Sequence, residues 1–315
     1  MIPGDFNGDG NTDIFRYNTS TGEVEIRYGR PEMDEFLFSS LSQVTWIPGL
    51  ELIPGDFNGD GFTDIFRYRP STGEVEIRYG SAIMTELLFS PSSQQTWVGS
   101  LKMIPGDFNG DGYTDIFRYY MPTGEVEIRY GNSGMGALSF SATSQETWVS
   151  NLNLVAGDFN GDGYTDIFRY YMPTGEVEIR YGTTGSGALL FSASSQNTWI
   201  ANLTMVPGDF NGDGYTDIFR YNTSTGEVET RFGVAGMGPL HFSASTLETW
   251  VANLKFAPGD FNGDGRTDLF RYYTPTGETE IRYGSPGTAP FVFSAASQNL
   301  WIPGLETISG YVPSH

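Results

Sequence analysis

The 315-residue sequence contains no cysteine, two histidines and two lysines. Without cysteine there is no disulfide framework and no thiolate chemistry, and nothing ties the chain to an oxidising or a reducing compartment. With only His241 and His315 available, the usual base–nucleophile pairs are scarce. Carboxylates are plentiful, but they recur at repeated positions, and no single place breaks the repeat as a catalytic site would; no enzyme is expected. Lys102 and Lys255 are the only lysines, and 38 acidic residues against 17 basic ones leave a formal charge of -21. Such a surface repels a phosphate backbone, which excludes nucleic acid as a partner. No apolar run approaches the ~18 residues that a spanning helix needs. No signal peptide is visible, because Met1 runs straight into repeat sequence.

What the chain has in quantity is turn formers and aromatics: 41 Gly, 17 Pro and 15% Phe, Trp and Tyr. That mixture suits an all-β protein with many tight turns. Its organisation is a repeat. The segment Gly-Asp-Phe-Asn-Gly-Asp-Gly recurs with its first Asp at Asp5, Asp56, Asp107, Asp158, Asp209 and Asp260, each step 51 residues. Equivalent units need equivalent surroundings, which a closed ring or a regular solenoid supplies. In the third copy, Asp115 to Tyr120 is rich in aromatic and β-branched residues, and Glu125 to Tyr130 alternates with period two. Met121-Pro-Thr-Gly124 breaks between them. Ala137 to Ser141 reads as a further strand, and Leu152 to Val155 leads into the next copy. Four short strands in about 50 residues is the blade pattern. The expectation is one domain over 1–315, a six-bladed β-propeller of four-stranded antiparallel blades. Its first strand opens partway at Met1, and 305–315 form a partial seventh repeat or closing tail that completes a blade or caps an edge.

The sharpest chemistry lies in the loop Asp-x-Asn-x-Asp-Gly-x-x-Asp. In the first copy it supplies Asp5, Asn7, Asp9 and Asp13, with the backbone carbonyl of Asn11. The second supplies Asp56, Asn58, Asp60, Phe62 and Asp64, and the third Asp107, Asn109, Asp111, Tyr113 and Asp115. The fourth has Asp158, Asn160, Asp162, Tyr164 and Asp166, the fifth Asp209, Asn211, Asp213, Tyr215 and Asp217. The sixth has Asp260, Asn262, Asp264, Arg266 and Asp268. Short oxygen-bearing side chains on alternate residues of a curled loop suit Ca²⁺, which takes about six to eight oxygens. The seventh position varies as a residue offering only its carbonyl should. The competing reading is a metal-free Asx-turn hairpin, against which stands the mutual repulsion of three carboxylates in each nine-residue loop. About six structural Ca²⁺, one per repeat, are expected.

The loop, followed by Thr-Asp-Ile-Phe-Arg-Tyr and a Thr-Gly turn, resembles the FG-GAP/VCBS repeats of integrin-alpha-type β-propellers, over essentially the whole chain. The resemblance implies that the loop joins the first two strands of a blade and binds Ca²⁺. The family often has seven blades, and the literal Phe-Gly/Gly-Ala-Pro signature is missing here, so the match is closer to the VCBS branch. Family members include adhesion modules and lectins.

Arg16, Glu23, Glu25 and Arg27 recur in every copy, and the two arginine series account for twelve of the fifteen arginines. On paired strands Arg16 is placed to face Glu25, with Arg27 reaching the neighbouring blade, a bidentate device for holding register. A sugar site is the other reading, with Trp46, Trp97, Trp148, Trp199, Trp250 and Trp301 as stacking rings; the alternative for each Trp is packing between blades with its N–H satisfied. The loops that differ between copies, such as Arg30 to Glu35 and Ser81 to Glu86, fit either partner binding or drift. Asn18, Asn202 and Asn222 head N-glycosylation patterns. The function these features suggest is calcium-stabilised binding or adhesion, outside the cell or at its surface, with multivalent recognition of glycans or extracellular proteins. The alternative is a structural protein that self-assembles into fibres or layers through its repeat edges and termini.

Overall fold

The computed structural model describes residues 1–30, 35–289 and 291–301. The chain is all-β, a six-bladed β-propeller of antiparallel sheets. By compactness it divides into two units, residues 1–150 with 184–188 and residues 151–183 with 189–315. The expected tail at 305–315 lies outside the described residues.

In the first unit the third blade shows the plan. Leu101–Gly106 pairs with Asp115–Tyr120, which pairs with Glu125–Tyr130. The fourth strand position is split: Ser139–Phe140 and Glu146–Thr147 both pair with the third strand, on either side of a 3₁₀ turn at Ala142–Ser144. The cause is Ser144. Its hydroxyl donates to the Ile128 carbonyl and accepts from the Ile128 N–H, replacing the ladder where the chain loops out. The sequence reading placed one longer strand there, because a serine that satisfies backbone through its side chain leaves no periodicity to read. The Thr-Gly turn is enforced sterically. Gly124 has φ +82°, and a Cβ on it would lie 1.8 Å from the Trp148 carbonyl oxygen.

Apolar residues from consecutive blades meet to form the core. In the first unit Phe57, Phe66, Ile77, Tyr79 and Trp97 of the second blade pack with Leu101, Ile116 and Leu138 of the third. In the second unit Phe159, Phe168, Ile179, Tyr181 and Trp199 pack in the same way with Leu203, Ile218 and Leu240. Phe108, Phe117 and Trp148 make a column of rings with centroids 6.0 and 5.1 Å apart, anchoring the second residue of the loop in the core. Each such buried side chain contributes roughly 1.5–3 kcal/mol. The first blade begins with the short strand Ile2–Gly4, as its alignment partway into a repeat implied.

Candidate functional site

Each Asp-rich loop joins the first two strands of a blade, with its first Asp just after one strand and its last opening the next. In the first copy Asp5 Oδ1 accepts N–H bonds from Gly8 and Asp9 at 2.7 and 3.1 Å, while Oδ2 accepts that of Gly10 at 2.8 Å. Asn7 Oδ1 accepts the Asp9 N–H at 3.2 Å, and Asp9 Oδ1 accepts that of Asn11 at 2.8 Å. Asn7 Nδ2 donates to Asp9 Oδ2 at 3.0 Å. Asp5, Asn7 and Asp9 are thus gathered by one turn. Gly8 must be glycine: it has φ +70°, and Phe62 from the next blade lies where its Cβ would be.

The ninth-position aspartates stand apart from the other three. Asp13 is fully buried. Its Oδ2 accepts the Phe6 N–H at 2.9 Å and its Oδ1 accepts the Gly29 N–H at 2.7 Å. It therefore knots the loop to the end of the third strand. Among the described residues no three acidic or imidazole side chains form a closed metal cluster. The donor set still suits a hard divalent cation in kind, being all oxygen with three carboxylates to each loop. In the sixth loop a cationic group does lie against it, Arg266 pairing with Asp264 at 2.5 Å.

Burial pushes the ninth-position carboxyls up, to about 6 at Asp13 and to about 8 at Asp64, Asp115, Asp166 and Asp217. The two backbone N–H donors pull the other way, and the neighbouring loop carboxylates add to the rise. The folded chain holds these protons to about pH 6 at Asp13 and about pH 8 at the other four, whereas an unfolded aspartate releases its own near pH ~4. Folding takes up protons between those limits, so metal-free protein loses stability as pH rises from about 4 to about 8. Urea denaturation in chelator at pH 5 and pH 8 measures this; a midpoint that rises with pH contradicts it.

The loops also join blade to blade. The Asp56 N–H donates to Thr114 Oγ1 at 3.0 Å, and the Thr114 N–H to the Asp56 carbonyl at 2.7 Å. Nearby, Tyr79 Oη donates to the Gly136 carbonyl at 2.6 Å, and Tyr130 Oη to that of Gly187 at 2.6 Å. These bonds hold the variable loop of one repeat through its main chain, which leaves its side chains free to differ. Tyr79→Phe is expected to cost about 0.5–1.5 kcal/mol in urea unfolding; no loss would mean that the hydroxyl finds water equally well.

Comparison with known proteins agrees with this architecture. The FG-GAP-like repeat family matches residues 5–67 and 107–169. Those two stretches are FG-GAP-like repeats. It is 26% identical over 284 residues to the T-cell immunomodulatory protein of Homo sapiens, covering 82% of this chain and 43% of that protein. With the Mus musculus protein of the same name it shares 25% over 230 residues, 68% of this chain and 36% of the relative. The chain therefore spans less than half the length of these relatives. Among solved structures, an Agrocybe aegerita lectin recognising non-reducing terminal N-acetylglucosamine superposes with TM-score 0.70 at 16% identity, covering 92% of this chain and 78% of the lectin.

Within the 51-residue repeats the arginines divide their work differently from the sequence expectation. Arg16 pairs with Glu25 across the strands at 2.8 Å, as anticipated. The closer reach to a neighbouring blade, however, belongs to the Arg16 series. Arg67 lies 4.4 Å from the ring centroid of Trp46 in the preceding repeat, while Arg78 is 5.8 Å away. The Arg27 series makes its nearer contacts within its own blade, Arg27 being bonded to Glu25 and stacked on Phe38 at 4.5 Å. Its later members also approach the preceding repeat, as Arg129 does Trp97 at 5.5 Å. The reason is register: Arg67 and Glu76 are directly opposed, so the carboxylate holds both guanidinium groups together.

Trp46, Trp97, Trp148, Trp199 and Trp250 are buried, whereas Trp301 is 46% exposed. Trp46 has Phe15 at 5.3 Å as well as the guanidinium of Arg67. Trp97, Trp148 and Trp250 donate their indole N–H to Gln95, Glu146 and Glu248. Beside this stack runs a groove of about 360 Å³, lined by Ile47 of one repeat and Arg67, Arg69, Glu74, Glu76 and Gln94 of the next. The second unit holds its counterpart, about 340 Å³, lined among others by Val251, Arg271, Tyr273, Glu280 and Gln298. Tyr273, half-buried at the end of its second strand, is the groove aromatic that sequence reasoning missed. Its signal was the position's variation among Asn18, Arg69, Tyr120, Tyr171, Asn222 and Tyr273. Of the glycosylation patterns, Asn222 is buried and its Oδ1 accepts the N–H of Ser224.

Proposed function

We propose that the chain is a calcium-stabilised binding propeller, acting outside the cell or at its surface, which recognises glycans through the grooves between successive repeats. The observation that carries this is the groove itself. Arg67, Glu76 and Gln94 form one hydrogen-bonded set on its wall, with Gln94 donating to Glu76 at 3.1 Å. A fixed array of guanidinium, carboxylate and amide suits paired hydroxyls, and a volume of about 360 Å³ falls in the range of small-ligand sites, roughly 300–1,000 Å³. A lectin of similar fold supports the reading. Recurrence of the groove would let weak contacts add through avidity.

Calcium belongs to the opposite end of each blade. The groove lies by the turn at Arg69–Glu74, whereas the loop carboxylates lie where Asp64 opens the second strand. Asp5, Asn7, Asp9 and Asp13, with their counterparts, would hold the ion, together with the Asn11 carbonyl. Bound there, it would supply charge neutralisation and loop rigidity, not contact with the ligand. The chain's own residues do the rest: Thr63 and Thr114 couple the first and second loops to the following blade.

The test is a glycan array and erythrocyte agglutination, both with calcium, followed by groove variants. Arg69→Ala and Tyr273→Ala are expected to weaken agglutination several-fold without moving the unfolding midpoint. A silent array and no agglutination would overturn the glycan reading while leaving the scaffold reading intact.

A further inference from the structure

Three arginines stand outside the two repeated series, and one of them, Arg266, is the single basic residue in any of the six nine-residue loops. The same position is Asn11, Phe62, Tyr113, Tyr164 and Tyr215 elsewhere. The aromatics there serve packing: a Cβ on Gly59 would lie 2.1 Å from the Tyr113 ring, and one on Gly161 2.0 Å from that of Tyr215. Arg266 keeps that role with its stem, since a Cβ on Gly212 would lie 2.8 Å from its Cγ. Its head does something new. Nη2 donates to Asp264 Oδ2 at 2.5 Å and Nε to the Gly284 carbonyl at 3.3 Å. The stem and these two bonds direct the guanidinium onto its own loop.

We infer that the sixth loop carries its own counter-ion, and that Arg266 makes it a weaker calcium site than the other five. This rests on the calcium reading of the loops. Asp264 occupies the fifth loop position, matching Asp9, so the guanidinium engages one of the carboxylates that would face the ion. A calcium ion entering this loop must displace the guanidinium or accept a positive charge a few ångströms away. Repulsion between a single and a double charge at such separations in water corresponds to an affinity loss on the order of tenfold. The pair itself is partly exposed, 27% on each side, so it lowers affinity without closing the site. The consequence is a graded propeller: as calcium falls, the sixth loop empties first, and with it the clasp from Asp209 to Thr267 meets an unsupported neighbour.

Equilibrium dialysis of the full chain over a range of calcium concentrations, with elemental analysis of bound metal, tests this. The wild type is expected to show five like sites and one about tenfold weaker. Arg266→Tyr is expected to give six alike, and Arg266→Asn, which copies the first loop, serves if the tyrosine variant folds poorly. Tyr215→Arg is expected to create a second weak site in the fifth loop. Six equal sites in the wild type, or an unchanged weak site in both Arg266 variants, would overturn the assignment to Arg266. No bound calcium in any protein would instead remove the calcium reading itself.

Discussion

Excess calcium is expected to raise the thermal unfolding midpoint by on the order of 15 °C or more over the same protein in chelator. An ion that binds only the folded chain adds about 1.4 kcal/mol per site at tenfold its dissociation constant, and about 2.7 kcal/mol at a hundredfold. Six loops multiply that to somewhere around 8–16 kcal/mol, large beside the usual stability of a domain. The gain should pass from blade to blade where a loop is bonded to the following one, as Asp5 is to Thr63, Asp56 to Thr114, Asp158 to Thr216 and Asp209 to Thr267. Calorimetry with calcium and with chelator measures the shift. An unchanged midpoint would leave the loops as metal-free turns, unless elemental analysis found calcium that the chelator had failed to strip.

Two substitutions in one loop separate the metal from the scaffold. Asp111→Ala removes an exposed carboxylate whose bonds lie within its loop. It is expected to cost stability mainly when calcium is present. Asp115→Ala is expected to cost about 2–6 kcal/mol even in chelator, with a further loss when calcium is present. Asp115 is fully buried and accepts the N–H groups of Phe108 and Gly131 at 2.9 Å each. Stranding two buried donors costs about 1–3 kcal/mol apiece. Urea unfolding of both variants, with and without calcium, reads the difference. Equal losses in chelator would mean that burial gives Asp115 no special part. A strictly calcium-dependent loss at Asp115 would make it a ligand first and a knot second.

Much of the blade was legible because its determinants are local. The period-two alternation in Glu125 to Tyr130 set which side chains share a face, and the Pro-Thr-Gly turn set how the two strands meet. The opposition of Arg16 to Glu25 follows directly from that register. The loop at Asp5 to Asp13 was equally plain, since its glycines and short polar residues act over nine positions.

What the sequence by itself determined was therefore the repeat, the strands, the loop and the pairing within a blade. The tertiary structure decided which groups remain available once blades stack. It buried Trp46 beneath Arg67 from the following repeat, placed Tyr273 at the groove, and turned Asp115 from one more loop carboxylate into a buried knot. The physical reason is distance along the chain: partners one repeat away leave no mark on local periodicity. Whether a ring is a platform or a filler depends on what packs over its free face.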